Sequence, residues 1–266
     1  MRTEIKRTLT SPMFWVSLIV FFLCLQGYTV PAYYRQWLSP FREPLECRES
    51  ALTMTLGSIF FGGAILMMPF CAAMVTAPSQ VEDMRSGMME FYLVRSSFRR
   101  YMTHKLASAF LGGFLIGSIA FGLHTILWHL MTVPYDPVTY PVHEISFWPG
   151  TLFAQWLPIC HGFPIFIDVM LGLGFTAGVW AIVGMATAVW VPDKLLAVII
   201  PTCIYKLWAS GLSYCLFGFE LPDPSTLYND AQTLAGDAAT LAIYLVILAC
   251  AVLLYSMGLR KKAQHG

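Results

Sequence analysis

Six stretches of about 20 residues, apolar on every face, leave this chain very few folds. They fall near residues 13–30, 52–77, 106–131, 164–191, 195–217 and 238–258. A helix needs about 20 residues to cross a hydrocarbon layer roughly 30 Å thick. An open strand would leave its N–H and C=O groups unpaired in lipid, and a barrel strand would alternate apolar with polar residues. All six stretches are therefore expected to be helices. Of 266 residues, 57% are hydrophobic and 12% charged. A soluble domain carries about 25% charged residues, so this chain has too little polar surface to cover a water-soluble core. The expected class is an all-α membrane protein forming a single transmembrane domain over residues 1–266. The net charge of +1 offers no basic surface for nucleic acid.

The positive residues predict an orientation, because Lys and Arg are retained on the cytoplasmic side. With the N-terminus inside, twelve cations are cytoplasmic: Arg2, Lys6 and Arg7, five between residues 78 and 105, Lys194, and Arg260 to Lys262. Arg35, Arg42 and Arg48 fall outside, and Lys206 falls within a span. Both termini are thus expected in the cytoplasm. The N-terminal run lacks a small-x-small cleavage site and reads as an uncleaved first span. Ahead of it, residues 2–11 read as a short amphipathic helix at the inner interface, with Ile5 and Leu9 toward lipid and Arg2, Lys6 and Arg7 toward headgroups. Ser11-Pro12 would turn the chain into the membrane.

Residues 78–105 form the most unusual connection. Pro69 and Pro78 can kink or stop the second span, and Glu82, Asp83 and Arg85 bring the chain into water. Ser86-Gly87 then breaks regularity. Met88 to Tyr101 reads as a helix with Met88, Phe91 and Tyr92 on an apolar side and Arg95, Arg99 and Arg100 along a basic edge. Lys105 closes the segment at the membrane boundary. A solvated loop would need its cations only to set topology. Aromatic and methionine side chains interleaved with charges instead suit headgroups or a groove on another protein.

These residues carry a resemblance. Glu82, Ser86 and Gly87, then Arg95 and Ser96, then Tyr101 and Lys105 leading into a third span, resemble the six-span permease subunits of ABC-2-type transporters. The outline of an amphipathic N-terminal helix, six spans and two cytoplasmic ends is similar as well. The resemblance implies a cytoplasmic coupling helix between spans two and three, seated in a groove on a separate ATPase subunit. Met88, Met89, Phe91 and Tyr92 would fill that groove, while Arg95, Arg99 and Arg100 would pair with its acidic rim. It also implies a second permease copy or sister permease, surrounding membrane lipid, a place in the bacterial cytoplasmic membrane, and export of an amphiphilic peptide, lipid-linked molecule or drug. The chain has no Gly-x-x-x-x-Gly-Lys-Ser/Thr phosphate loop. It is therefore not expected to be an enzyme or to hold a cofactor, and ATP and Mg²⁺ would belong to the partner.

Asp168 and Lys206 stand inside apolar runs, where an unpaired charge costs on the order of 3 kcal/mol by insertion scales. They could pair, snorkel or line a transport pathway. An ion-coupled carrier would use them as coupling residues, although no internal repeat supports that class. An intramembrane enzyme lacks every expected motif, including Gly-x-Ser-x-Gly and His-Glu-x-x-His. His124 and His129 read as structural, hydrogen-bonded residues. Gly113-x-x-x-Gly117 and Gly174-x-x-x-Gly178 read as helix-packing positions. Cys47 and Cys160 fall in expected outer connections, where a disulfide could form in an oxidising compartment.

Overall fold

The computed structural model describes residues 2–38, 55, 58–59, 63–89, 91, 97–131, 163–210 and 234–265. Among these the regular structure is helical, with no strand. The helices are α1 (Arg2–Thr10), α2 (Pro12–Leu38), α3 (Ala64–Arg85), α4 (Phe98–Met131), α5 (Phe163–Trp190), α6 (Lys194–Ala209) and α7 (Leu234–His265). Five of them, α2 to α5 and α7, contain stretches long and apolar enough to cross a membrane. The span expected at 195–217 coincides with α6, whose 16 residues, about 24 Å at 1.5 Å per residue, are not among the five stretches long and apolar enough to cross; residues 211–217 of that expectation lie outside the described residues. So do Cys47 and Cys160.

Local chemistry sets several boundaries. Pro12 opens α2 at the position where a missing N–H is harmless, and the Ser11 hydroxyl accepts from Met13 N at 3.3 Å. The helix then runs through Pro31 to Leu38, past the expected end at residue 30. α3 likewise continues through both Pro69 and Pro78 to Arg85, so neither proline ends the second span. Its stop is Ser86-Gly87. Ser86 donates from backbone and hydroxyl to Glu82 O, and Gly87 follows at φ +70°, a left-handed angle that favours glycine. Asp193 caps α6, its carboxylate accepting from Leu195 N and Leu196 N at 2.9 Å.

α5 is the central helix. It packs on α3, α4, α6 and α7, and Trp180, Ala177 and Ala181 on it are fully buried. The two glycine pairs meet across α4 and α5. A Cβ on Gly113 would stand 2.5 Å from Ala177 O, and one on Gly117 would stand 2.6 Å from Leu173 O. Gly174 faces Ser118 and Phe114, and Gly178 faces Phe110. With no side chains at these four places the backbones approach closely, and dispersion replaces the hydrophobic drive that lipid cannot supply. α3 closes on the other side of α5, where Gly184 lies against Ala73. α7 buries Tyr244 and Tyr255 inward and leaves Leu241, Leu245, Val246, Leu253 and Leu254 exposed.

Gly113→Val is therefore expected to lower stability by about 1–3 kcal/mol or more through overpacking. Gly122→Ala, whose Cβ would sit 3.6 Å from Met170 Sδ, is expected to be nearly neutral. Thermal melting of both variants in detergent checks the contrast.

Candidate functional site

One end of the bundle collects most of the described charge. Asp83, near the C-terminus of α3, is 3% exposed. Its Oδ1 accepts from Arg7 Nη2 at 2.8 Å, and its Oδ2 accepts from Arg7 Nη1 at 3.0 Å and from Lys105 Nζ at 2.6 Å. Lys105 is equally buried and also pairs with Glu4 at 3.0 Å. Two cations and two carboxylates from α1, α3 and α4 thus form a neutral cluster. Charges removed from water need this arrangement, because a lone buried charge carries a desolvation cost of several kcal/mol. Beside the cluster, Tyr255 donates to Gln80 Oε1 at 3.3 Å, which ties α7 to the same turn of α3.

More cations surround this end. Lys194 pairs with Glu82, and Arg85 donates to Pro192 O. Arg260 lies over the Phe98 ring, Lys261 over Trp190, and Lys262 Nζ reaches Met84 Sδ at 3.7 Å. The starts of α1, α4 and α6 and the ends of α3 and α7 therefore share one end. An open cleft of about 720 Å³ is cut into it, lined by Arg7, Glu82, Asp83, Arg85, Ser86, Met88 and Lys194.

The expected docking residues divide into three groups. Glu82, Ser86, Gly87, Met88, Phe91, Arg99 and Arg100 are exposed. Met88 and Phe91 are 41% and 47% exposed, large apolar side chains presented among charges. Met89, expected to fill the groove, is 4% exposed and packs into the core. Tyr101 and Lys105 are buried as well, at 6% and 4% exposure. The reason is the start of α4. Ser97 O accepts from Tyr101 N at 3.0 Å, the first bond of that helix. Arg99, Arg100 and Tyr101 consequently belong to the first turn of α4, and no single helix runs from Met88 to Tyr101. Two turns into α4, Lys105 turns inward to Asp83 and does not mark the water boundary. Tyr92, Arg95 and Ser96 lie outside the described residues. α1 also differs from expectation. Arg7 reaches Asp83 in place of headgroups, and Leu9 packs against the core.

A second polar cluster lies further along α4. Trp128 Nε1 donates to Gln26 Oε1 at 3.1 Å, and Thr29 donates to the same oxygen at 3.3 Å. Indole nitrogen is only a donor, so the Gln26 amide nitrogen must be the atom that faces His124 Nδ1 at 2.9 Å. That nitrogen of His124 accepts, and its ring proton sits on Nε2. His129 donates from Nδ1 to Thr125 O at 3.1 Å. Lys105 and His124 are 19 residues apart, about 28 Å along the helix. The ionic and the neutral cluster are thus separated by roughly one hydrocarbon thickness. Lys206 is exposed on α6 between Tyr205, which is buried, and Leu207, which is exposed. The backbone of Asp168 lies in the second turn of α5, and its side chain is outside the described residues.

Residue type alone did not single out Asp83, Glu4 or Gln26. A usable signal was present: Glu4, Arg7 and Thr8 share one face of α1, a charged stripe that fits a charged partner better than lipid. Fold and composition define an all-helical protein with the helices of a multi-span membrane protein. No protein-family model, curated protein or solved structure matches the chain.

Lys105→Met leaves two carboxylates to share one guanidinium and is expected to cost about 3–5 kcal/mol. Adding Asp83→Asn to it should recover part of that loss. Melting curves of the two single variants and the double variant test the coupling, and additive losses would contradict it.

Proposed function

We propose that this chain is the membrane-spanning permease subunit of an ABC-2-type transporter, exporting an amphiphilic molecule with ATP hydrolysed by a separate subunit. The observation that carries this reading is the exposed tip at the charged end. Met88 and Phe91 stand out from the bundle just past the Gly87 turn, and the base of α3 beneath them is held by Asp83 and Arg85. A partner's groove would take the two apolar side chains as anchors, and Arg99 and Arg100 would meet acidic groups on its rim. A tip continuous with α3 can convert movement of an attached ATPase into tilting of that helix.

The gathering of cations at this end supports a cytoplasmic orientation for it by the positive-inside rule. The starts of α1 and α4 and the end of α7 share it, so both termini would be cytoplasmic. The exposed apolar side of α7 suits lipid or a second permease copy. ATP and Mg²⁺ would bind the partner, and Asp168 and Lys206 are candidates for the cargo pathway.

Co-expression with an ATP-binding-cassette ATPase encoded in a neighbouring reading frame tests the proposal. The two chains should co-purify, and the permease should stimulate hydrolysis. Gly87→Pro forces φ near −65° where the chain needs +70°, and Phe91→Asp places a charge in the expected groove. Each should cut stimulation at least about tenfold while melting of the bundle stays close to that of the parent. Full stimulation by both variants would reject the docking role.

A further inference from the structure

α1 is attached to the bundle in an unusual way. Two of its charged residues hold two different helices: Arg7 grips Asp83 of α3, and Glu4 grips Lys105 of α4. Apolar attachment is modest: Leu9 packs on the main core, the Thr8 methyl lies against Gly112 and Ile5 is half-buried, while Lys6 and Thr10 are exposed. Beneath the helix lies a cavity of about 50 Å³. Its lining includes Glu4, Thr8, Thr76, Ser79, Lys105 and Ser108. The Thr76 hydroxyl is buried with no hydrogen-bond partner. Thr8 and Ser108 hydroxyls are 3.4 Å apart, a weak contact. Val75 and Met185 also line it, so the space is of mixed polarity, with enough polar groups to hold a water. Lifting α1 would open this space and the Thr76 hydroxyl to bulk water.

We propose that α1 is a releasable strap, clipped across α3 and α4 by Glu4–Lys105 and Arg7–Asp83, whose seating fixes the Ser86–Phe91 tip. Hydrophobic burial would make such a helix permanent. Ion pairs make it exchangeable, because an incoming carboxylate or phosphate can replace Asp83 on Arg7, and Arg7 is 43% exposed. The strap reaches the tip through one turn of helix: Asp83 stands three residues before Ser86 and four before Gly87. When α1 lifts, Asp83 keeps Lys105 and the base of α3 stays paired. The bundle below it is held separately by the glycine contacts of α4 with α5. This reading goes beyond the proposed transport role and stands whether or not an ATPase docks.

Hydrogen exchange of the whole chain in lipid nanodiscs, with no ATPase present, tests it. Arg7→Gln and Glu4→Gln each release one clip. In each variant the amides of residues 3–10 should exchange about tenfold faster, as expected when a local opening loses an ion pair. The amides of residues 86–91 should accelerate with them, while those of α5 stay unchanged. Arg7→Lys, which keeps a positive charge facing Asp83, should retain more of the protection of α1 than Arg7→Gln. Unchanged exchange in residues 3–10 would overturn the strap, as would acceleration of α5 to the same extent. Acceleration of α1 with no change in residues 86–91 would overturn its link to the tip.

Discussion

The carboxylate of Asp83 anchors this structure. It lies at the end of α3, out of water, and receives hydrogen bonds from α1 and α4 at once. A buried carboxylate requires such partners, and the partners require it, since each charge alone would carry an uncompensated desolvation cost. Three helix ends are consequently fixed to one point. The turn at Ser86-Gly87, the open cleft and the exposed Met88 and Phe91 all sit within two turns of that point.

The opposite cluster follows a different chemistry. Gln26, His124, Trp128 and Thr29 are neutral, and their bonds join α2 to α4 with a single proton arrangement. Among the described residues, the ion-pair cluster lies at one end and the amide, imidazole and indole cluster toward the other, about 28 Å apart on α4. Between them the packing is apolar and depends on small residues. Gly113, Gly117, Gly174 and Gly178 allow α4 and α5 to touch backbone to backbone, which suits a solvent that offers no hydrophobic drive.

The exposed tip gains its meaning from this frame. Two large apolar side chains on a free loop would be unremarkable, because scattered exposed hydrophobics are common. Here they follow a helix whose base is pinned by Asp83, by the Arg85 contact with Pro192 and by the Lys194 pair with Glu82. At the same end α1 is joined to α3 and α4 by the Arg7–Asp83 and Glu4–Lys105 ion pairs, over a small cavity.

Helical class, the approximate places of the apolar runs, the break at Ser86-Gly87 and the packing use of the glycine pairs were legible in the amino-acid order. Each depends on chemistry local to a segment: apolar length, the left-handed angle at Gly87, the absence of a Cβ. The partners of charged residues were not legible. Lys105 reads as a boundary cation and Arg7 as a headgroup contact until α1, α3 and α4 are brought together, because pairing across 76 or 22 residues leaves no periodic trace. The same holds for helix ends. α3 passes through Pro78 and α4 begins at Phe98, where packing and end-to-end ion pairs outweigh the local preference of a proline or a charged run. Sequence by itself determined that this chain forms apolar helices, and tertiary structure decided which of its few charges face water, since only contact between distant segments can offset the burial of a charge.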